Sequence, residues 1–404
     1  MYYTGSHILN AGFLYKRNAF HYYGFKPAEF NLPVNDSLKK ATLQKYQTLD
    51  VTASVKSDYN EKDKWHHGAD FNFYNLKNSQ IVENALSFNA FVKKDINITR
   101  KIEDEKIILE AQAKYYNNPV FSKLKDAGLY SIKPQLSFLM NQYALNLGLN
   151  ATVQSDDMGY IFFFPVLEGK IAIAQNVLSL YGSFTGNVER NNIRTLFEEN
   201  PFIIANFDSL QFTKNKVVFS GGIKGNIASA LSFNICGRFI ESENMPFFIN
   251  DTGSTFNQFN LIYDDVTTTG VYADFSFQAS EKFMFMLKGA FNHYVMGTEA
   301  QPWHKPQISG SLLVTYCLVD KINIKSEIFA QDNSFAKVYN ISSSAFEAKT
   351  INGFADINIG LEYLYNKKIS AFLNFNNIAG QRYYQWYNYP SQRFHVLGGL
   401  TYAF

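Results

Sequence analysis

Seven histidines are the side chains in this 404-residue chain that most often bind metals or transfer protons. His66 and His67 are adjacent, but no third ligand lies near them at a spacing useful for a metal. His293 and His304 flank one connector, with Glu299 between them. A hydrolytic site there would also need a Ser or Asp beside a histidine on a neighbouring strand, and the sequence places none. The sequence therefore predicts no catalytic residue, no metal and no cofactor.

The two cysteines, Cys236 and Cys317, also lack metal-ligand spacing. They lie about 80 residues apart on segments that predict separate strands. We interpret them as small buried residues rather than as a disulfide.

Charged residues that alternate with apolar ones form a larger set of candidates. They are Lys224, Arg238, Asp274, Lys288, Lys325, Glu327, Asp356 and Glu362. On one reading they line a water-filled lumen, where such residues set selectivity. On the other they form cross-strand ion pairs, such as Lys325 and Glu327 with Asp356 and Glu362. The mixed signs argue against a strongly ion-selective pore.

The segments that carry these charges have an apolar residue at every second position. Residues 307–318, 322–331 and 354–365 show the pattern, and more than ten segments repeat it. A period of two puts one face of a strand in an apolar environment and the other in a polar one. Strands in lipid must close into a ring, because unpaired backbone groups in hydrocarbon are costly.

The composition agrees with a membrane β-barrel. Aromatic residues make up 17% of the chain and charged residues only 18%, below the roughly 25% of soluble domains. No run of about 18 uncharged apolar residues is present, so no transmembrane helix is expected. The net charge is +2 and no basic stripe is present, which argues against nucleic acid.

The connectors alternate in length. Short turns occur at 141–142, 280–282, 319–321 and 366–368, whereas the long connectors are about 187–213, 243–257, 295–306, 332–350 and 377–392. Outer-membrane barrels have short periplasmic turns and long extracellular loops. We therefore predict one all-β domain over residues 1–404, a transmembrane antiparallel up-and-down β-barrel of about 16–18 strands.

The last strand, RFHVLGGLTYAF, carries outward apolar residues and ends on an aromatic residue. Leu400, Tyr402 and Phe404 have the form of the signal that the barrel-assembly machinery reads in outer-membrane proteins.

The segment FLNFNNIAGQRYYQWYNYPSQRFHVLGGLTYAF resembles the C-terminal hairpin of TonB-dependent receptors. The matching residues are Asn376, Asn377, Ile378, Tyr383, Tyr384, Trp386, Pro390, Gly399, Leu400, Tyr402 and Phe404. A weaker match is IRTLFEENPFI, residues 193–203, which resembles an extracellular loop of such barrels. The specific motifs cover about the last 35 residues.

The resemblance implies an outer-membrane receptor that binds or transports a solute. Such receptors have 22 strands, an N-terminal plug and a TonB box, none of which this sequence shows in full. We expect a signal peptide, and a plug that contacts TonB, to lie upstream of these residues. The alternative is a plugless receptor-like barrel that serves as a structural or assembly subunit. Expected partners are outer-membrane lipid, the barrel-assembly machinery, and an unknown solute or surface protein.

The connector 381–393 holds the binding candidates Arg382, Tyr384, Trp386 and Tyr387. Their rings could stack on a sugar or hold a protein partner. They could also form an aromatic girdle at the level of the lipid headgroups, which we favour for those nearest the strands.

Overall fold

A computed structural model shows that most of the described chain is β-structure. It describes residues 2–4, 7–24, 40, 42–57, 65–78, 80–97, 104–119, 124–156, 159–175, 177–204, 207, 209–227, 230–252 and 257–403. None of the helices within these ranges is long and apolar enough to cross a membrane.

The structure contains 23 strands and one named helix within the described residues. The first ten are β1 (Tyr2–Thr4), β2 (His7–His21), β3 (Leu43–Ser57), β4 (Trp65–Lys77), β5 (Val82–Ile96), β6 (Asp104–Asn117), β7 (Ala127–Met140), β8 (Tyr143–Ser155), β9 (Tyr160–Ala174) and β10 (Leu178–Arg190). Helix α1 (Ile193–Glu199) precedes β11 (Phe212–Ile227), β12 (Leu231–Asn250), β13 (Phe259–Ser280), β14 (Phe283–Met296), β15 (Ile308–Leu318) and β16 (Ile322–Gln331). The remainder are β17 (Ser334–Asn340), β18 (Ala345–Ile351), β19 (Phe354–Leu364), β20 (Ile369–Asn376), β21 (Tyr384–Trp386), β22 (Tyr389–Pro390) and β23 (His395–Tyr402).

Eighteen of these strands have eight residues or more, and they form an antiparallel up-and-down sheet. Where two hairpins are inserted, the ladder continues past them. β16 pairs with β19 across the hairpin β17–β18, and β20 pairs with β23 across β21–β22. The predicted fold class is confirmed, at the upper end of the predicted strand number.

The register confirms the two faces that the alternation predicts. One row across four strands is apolar and consists of Leu287, Leu312, Ile328 and Ile357. The next row over is mostly polar and consists of Asp274, Lys288, Ser311, Phe329 and Asp356. We call the face of the apolar row outward and the face of the polar row inward.

From β9 onward, the connections alternate as the sequence predicts. At one end, the short-turn end, they are tight: Val319 and Asp320 between β15 and β16 both have positive φ, 52° and 54°. Two consecutive residues of this kind match the type I′ turn that suits the twist of a hairpin. At the other end, the long-loop end, lie the connections 191–211, 297–307 and 377–394.

One strand extends further than predicted. The alternation suggests a connector over 243–257, but β12 continues to Asn250. The Thr213 hydroxyl donates to the Asn244 carbonyl at 2.8 Å, and the Asn244 N–H donates to the Asp265 carboxylate at 3.0 Å. These polar contacts hold the strand together in a stretch where the apolar pattern has faded, so periodicity alone misses it.

The chain divides into two compact units. Unit 1 comprises residues 1–171, 182–219 and 240–265, and unit 2 comprises residues 172–181, 220–239 and 266–404.

Candidate functional site

Unit 1 has an unusual inward face at its long-loop end. By register, Tyr46, Tyr74 and Tyr116 share the face of the polar residues, yet all three are buried. Tyr74 is 7% exposed, whereas Phe71 on the outward face of the same strand is 41% exposed. Something within the protein therefore covers the inward face at this level.

The cover is the segment that follows β10, which we call the inner strap (residues 191–204). It contains α1, whose N-cap is Asn192, with the side chain accepting from the Thr195 N–H at 2.9 Å. Ile193, Leu196 and Phe197 on α1 are buried. Burying an aliphatic or aromatic side chain of this size contributes about 1.5–3 kcal/mol, so these three side chains help to hold the strap.

Glu83 on β5 fixes the start of α1. Its side chain is fully buried. One carboxylate oxygen accepts from the Ile193 N–H at 2.8 Å, and the other accepts from the Arg194 N–H at 3.0 Å and the Tyr74 hydroxyl at 2.9 Å. A buried carboxylate is costly unless it is hydrogen-bonded, and these three donors satisfy it.

Arg194 supplies a second polar tie between strap and wall. Its Nη1 lies 2.8 Å from the Asp50 carboxylate on β3, and its Nε lies 3.2 Å from Glu198 one turn along α1. Burial disfavours the charged guanidinium, but the hydrogen bonds to Asp50 and Glu198 outweigh it and raise the pKa of Arg194. The guanidinium carbon also lies 4.7 Å from the centre of the Tyr74 ring, a cation–π contact.

Aromatic side chains fill the space between the strap and the strands β2 and β3. The Phe197 ring centre is 4.5 Å from that of Tyr46, which stacks on Phe20 at 5.7 Å. Phe202 meets Phe20 edge-on at 5.6 Å. The Tyr22 hydroxyl donates to the Ile203 carbonyl at 3.5 Å. Ring contacts thus join the strap to β2 and β3.

The far end of the strap is bound to a different strand. Ile203 forms a parallel bridge with Phe259 at the start of β13. The Phe259 N–H donates to the Phe202 carbonyl at 3.1 Å, and the Ile204 N–H donates to the Phe259 carbonyl at 2.9 Å. Within unit 1 the strap therefore runs from the wall of β2–β5 to β13.

A cleft of about 700 Å³ lies where the strap meets β2–β4. Its lining combines charged, polar and aromatic side chains, and includes Lys16, Tyr46, Thr48, Arg194, Phe197 and Glu198. Such a lining could hold a small polar solute against an aromatic floor.

In unit 2, a cavity of about 630 Å³ lies on the inward face near the short-turn end. It is lined by Thr315, Asn323, Lys325, Glu362 and Asn374 among others. Two of the predicted lumen residues, Lys325 and Glu362, therefore border one cavity.

Of the alternative of cross-strand ion pairs, the described contacts of Lys325 and Glu362 are as follows. Lys325 faces Gly360 across the ladder and pairs at 3.6 Å with Glu327 on its own strand. Glu362 accepts from the Ser370 hydroxyl at 2.8 Å and from the Asn323 amide at 3.4 Å.

The remaining predicted lumen residues lie beside rings or opposite charges. Lys224 Nζ is 5.4 Å from the Tyr181 ring centre, and the Arg238 guanidinium is 5.2 Å from that of Tyr272. Asp274 lies directly opposite Lys288. Lys224 and Arg238 thus lie beside rings, whereas Asp274 and Lys288 share one row.

Three segments of unit 2 pack together at the long-loop end, and we call them the loop layer: residues 297–307, the hairpin β17–β18, and residues 377–394. Glu299 accepts from Lys337 Nζ at 2.7 and 2.8 Å and from the Trp303 indole at 2.8 Å. The His304 N–H donates to the Phe335 carbonyl at 2.8 Å, and its ring lies 4.9 Å from that of Trp386.

The loop layer separates the four predicted binding residues. Trp386 is buried against His304, Arg382 and Tyr384 are exposed, and Tyr387 is half-buried. Neighbouring Tyr383 stacks on Phe354 at 3.8 Å and donates to the Asp356 carboxylate at 2.7 Å. A partner of this layer would meet Arg382 and Tyr384 first.

The histidines and cysteines form no reactive group in the part of the chain that the structure describes. His67 Nε2 lies 3.3 Å from His7 Nε2, whereas the His66 ring turns to the Ser57 hydroxyl at 3.2 Å. Within the same ranges, no three His, Cys, Asp or Glu side chains could together hold a metal ion. Cys236 and Cys317 are both free thiols.

The last strand presents its apolar residues outward. Leu400 lies opposite Ala371 and is 81% exposed, and Tyr402 lies opposite Ile369. Phe404, the predicted end of the assembly signal, lies outside the described residues.

Sequence reasoning missed the strap contacts of Glu83, Asp50 and Arg194. A signal was present, because IRTLFEENPFI is too apolar for a solvated loop and tyrosines interrupt the polar faces of β3, β4 and β6. Only the register shows that these two features meet.

No family model and no curated protein matches the chain by sequence. Solved structures with a similar fold are barrels of TonB-dependent receptors. The ferripyoverdine receptor FpvA of Pseudomonas aeruginosa, bound to ferripyoverdine, matches with a TM-score of 0.70 and 12% identity over 99% of this chain and 63% of that one. The ferric enterobactin receptor PfeA of P. aeruginosa gives a TM-score of 0.69, 12% identity, 99% of this chain and 68% of that one. The ferric-catecholate import receptor Fiu of Escherichia coli K12 matches with a TM-score of 0.65 and 11% identity. The match covers 98% of this chain and 72% of that one. This chain thus has the fold of the receptor barrel and spans about 63% of the length of FpvA.

Proposed function

We propose that the chain is an integral outer-membrane β-barrel that binds a solute on its inward face and conducts it across the membrane. The observation that carries the proposal is the eighteen-strand antiparallel sheet with an apolar outward face and a polar inward face, in the fold of receptors such as FpvA and PfeA. The long-loop end would then be extracellular and the short-turn end periplasmic. Outer-membrane lipid and the barrel-assembly machinery would be its partners.

The polar inward face supports this proposal. It carries the cavity at Lys325 and Glu362 in unit 2 and the cleft at Lys16 and Arg194 in unit 1. Both combine hydrogen-bonding groups with apolar surface, as small-molecule sites do.

The test uses the purified full chain in two assays. Binding of ferripyoverdine and of ferric enterobactin is measured by tryptophan fluorescence. Passage is measured with neutral sugars in proteoliposomes. Quenching by a siderophore would identify a receptor, and entry of sugars without binding would identify a general pore. If the chain neither binds nor conducts, the proposal is wrong.

The second candidate is a receptor-like barrel that serves as a structural subunit. The loop layer favours it, because Glu299, Trp303 and Lys337 hold a preformed surface that presents Arg382 and Tyr384. A defined protein that co-purifies at fixed stoichiometry, and is lost in Arg382→Ala with Tyr384→Ala, would support it over transport. A partnerless species in mild detergent would contradict it.

A further inference from the structure

The inner strap lies on the inward face of unit 1, and this position suggests a role beyond connecting two strands. A loop that only connected β10 to β11 could remain in solvent at the long-loop end. This one turns onto the inward face, and it covers tyrosines that would otherwise face the passage. Small barrels are filled by their own side chains, whereas larger ones enclose channels or are closed by inserted segments.

The strap is tied at both ends. Glu83 on β5 and Asp50 on β3 hold α1 through its backbone N–H groups and through Arg194. We call these two carboxylates the latch. At the other end, Ile203 bridges to Phe259 on β13. A segment that is held at both ends and lies across the inward face narrows the space in front of that face.

We propose that the inner strap is a built-in constriction, which limits the size of the solutes that pass along the inward face of unit 1, and that the latch carboxylates determine how narrow it is. The inference rests on the proposed passage of a solute. It assigns Asp50, Glu83 and Arg194 as residues that determine size selectivity.

The latch variant is Asp50→Asn combined with Glu83→Gln. It removes both charges while nearly keeping side-chain size, so α1 loses its ion pair and the carboxylate that accepts from both N–H groups. The full chain is reconstituted in liposomes, and swelling is followed with neutral sugars from a pentose to a trisaccharide. We expect the entry rate of the trisaccharide, relative to the pentose, to rise about threefold or more. Folded migration on unheated gels verifies that the variant is assembled.

The matched control is Glu110→Gln combined with Glu168→Gln. Both carboxylates lie on the inward face of unit 1, where Glu110 faces Lys133 and Glu168 accepts from the Asn146 amide. They make no described contact with the strap. This control should show the wild-type ratio of sugar rates.

A tether separates movement of the strap from general loosening. The tether is a disulfide between Ile203→Cys and Phe259→Cys. These two residues lie opposite one another in a β-bridge, and Cα atoms about 5 Å apart suit a disulfide. In a chain with Cys236→Ser and Cys317→Ser, the oxidised tether fixes the β13 end of the strap, so the latch variant should keep its raised ratio whether the tether is oxidised or reduced. A raised ratio that disappears on oxidation would show that the whole strap had loosened.

The two proposals fail in different ways. If the pentose enters but the latch variant, tethered or not, keeps the wild-type ratio, the constriction is overturned and transport stands. If no sugar enters with any variant and neither siderophore binds, the proposed transport itself is overturned.

Discussion

Inward-facing carboxylates in this protein are held in several cases by uncharged donors. Glu83 accepts two backbone N–H groups and the Tyr74 hydroxyl, Glu362 accepts from Ser370 and Asn323, and Asp356 accepts from Tyr383. The alternation predicts the faces on which these residues lie, but not their partners, because a partner depends on the register of strands far apart in the sequence.

A substitution on the outward face should act differently from one on the inward face. Leu312 lies mid-strand in β15 between Leu287 and Ile328, and Thr315 lies three residues further on the other face. We expect Leu312→Arg to cost about 2–4 kcal/mol and block assembly, because a cation at the bilayer midplane is poorly solvated. Thr315→Arg should assemble normally. The folded fraction on unheated gels measures both, and equal behaviour would contradict the assignment of the faces.

Tyr383 should make the loop 377–394 sensitive to alkali. Burial and the hydrogen bond to Asp356 raise the pKa of Tyr383 above its ordinary value of 10.0. The folded form therefore keeps a proton that the unfolded form loses, so its contribution to stability is complete below pH 10.0 and declines as the pH rises towards the folded pKa. Above that value the phenolate would repel the carboxylate. Protease cleavage of the loop should increase with pH in the wild type and less steeply in Tyr383→Phe.

At the level of elements, the strands and the inserted segments differ in how far they can be predicted. The strands follow from alternation, and most of their connections were placed to within a few residues. The hairpin β17–β18 and α1 were missed, because each lies in a long connector without a clean period and is stabilised by packing on other segments. The buried role of Trp386 was missed for the same reason, since His304 lies about 80 residues away in the sequence.

The hairpin β17–β18 should be dispensable for the barrel but not for the loop layer. Its Lys337 binds Glu299, and its Phe335 carbonyl accepts from His304. Replacing residues 334–351 by a short glycine-serine linker should leave folded migration unchanged, because β16 pairs directly with β19. Residues 297–307 should then become sensitive to protease. Continued resistance would show that this loop is held by its own contacts.

At the level of the whole molecule, the fold could be predicted because lipid imposes one rule on every spanning strand. That rule gave the fold class, a strand number close to eighteen and the alternation of short and long connections. It says nothing of the ligand, since the two inward cavities differ in lining. The chain is only 12% identical to FpvA and to PfeA, so the fold is the feature that the comparison shows them to share.

The last strand should affect assembly more than final stability. Leu400 and Tyr402 face outward from β23. Leu400→Ser with Tyr402→Ser should slow insertion into the outer membrane, because the assembly machinery would meet a polar strand. The control Thr401→Ser, on the other face, should insert at the wild-type rate. Pulse-chase labelling of folded protein measures the rate, and equal rates would show that the signal lies elsewhere.

The latch joins residues that are synthesised far apart. Asp50 and Arg194 are 144 positions apart, and Glu83 and Ile193 are 110 apart. Contacts of such long range form late, because chain closure is entropically costly until intervening structure exists. The tyrosines of β3, β4 and β6 must therefore remain uncovered until β10 and β13 are in place. Docking of the strap would be among the last steps of folding. Burial of the Glu83 side chain under the strap would then mark the completion of unit 1.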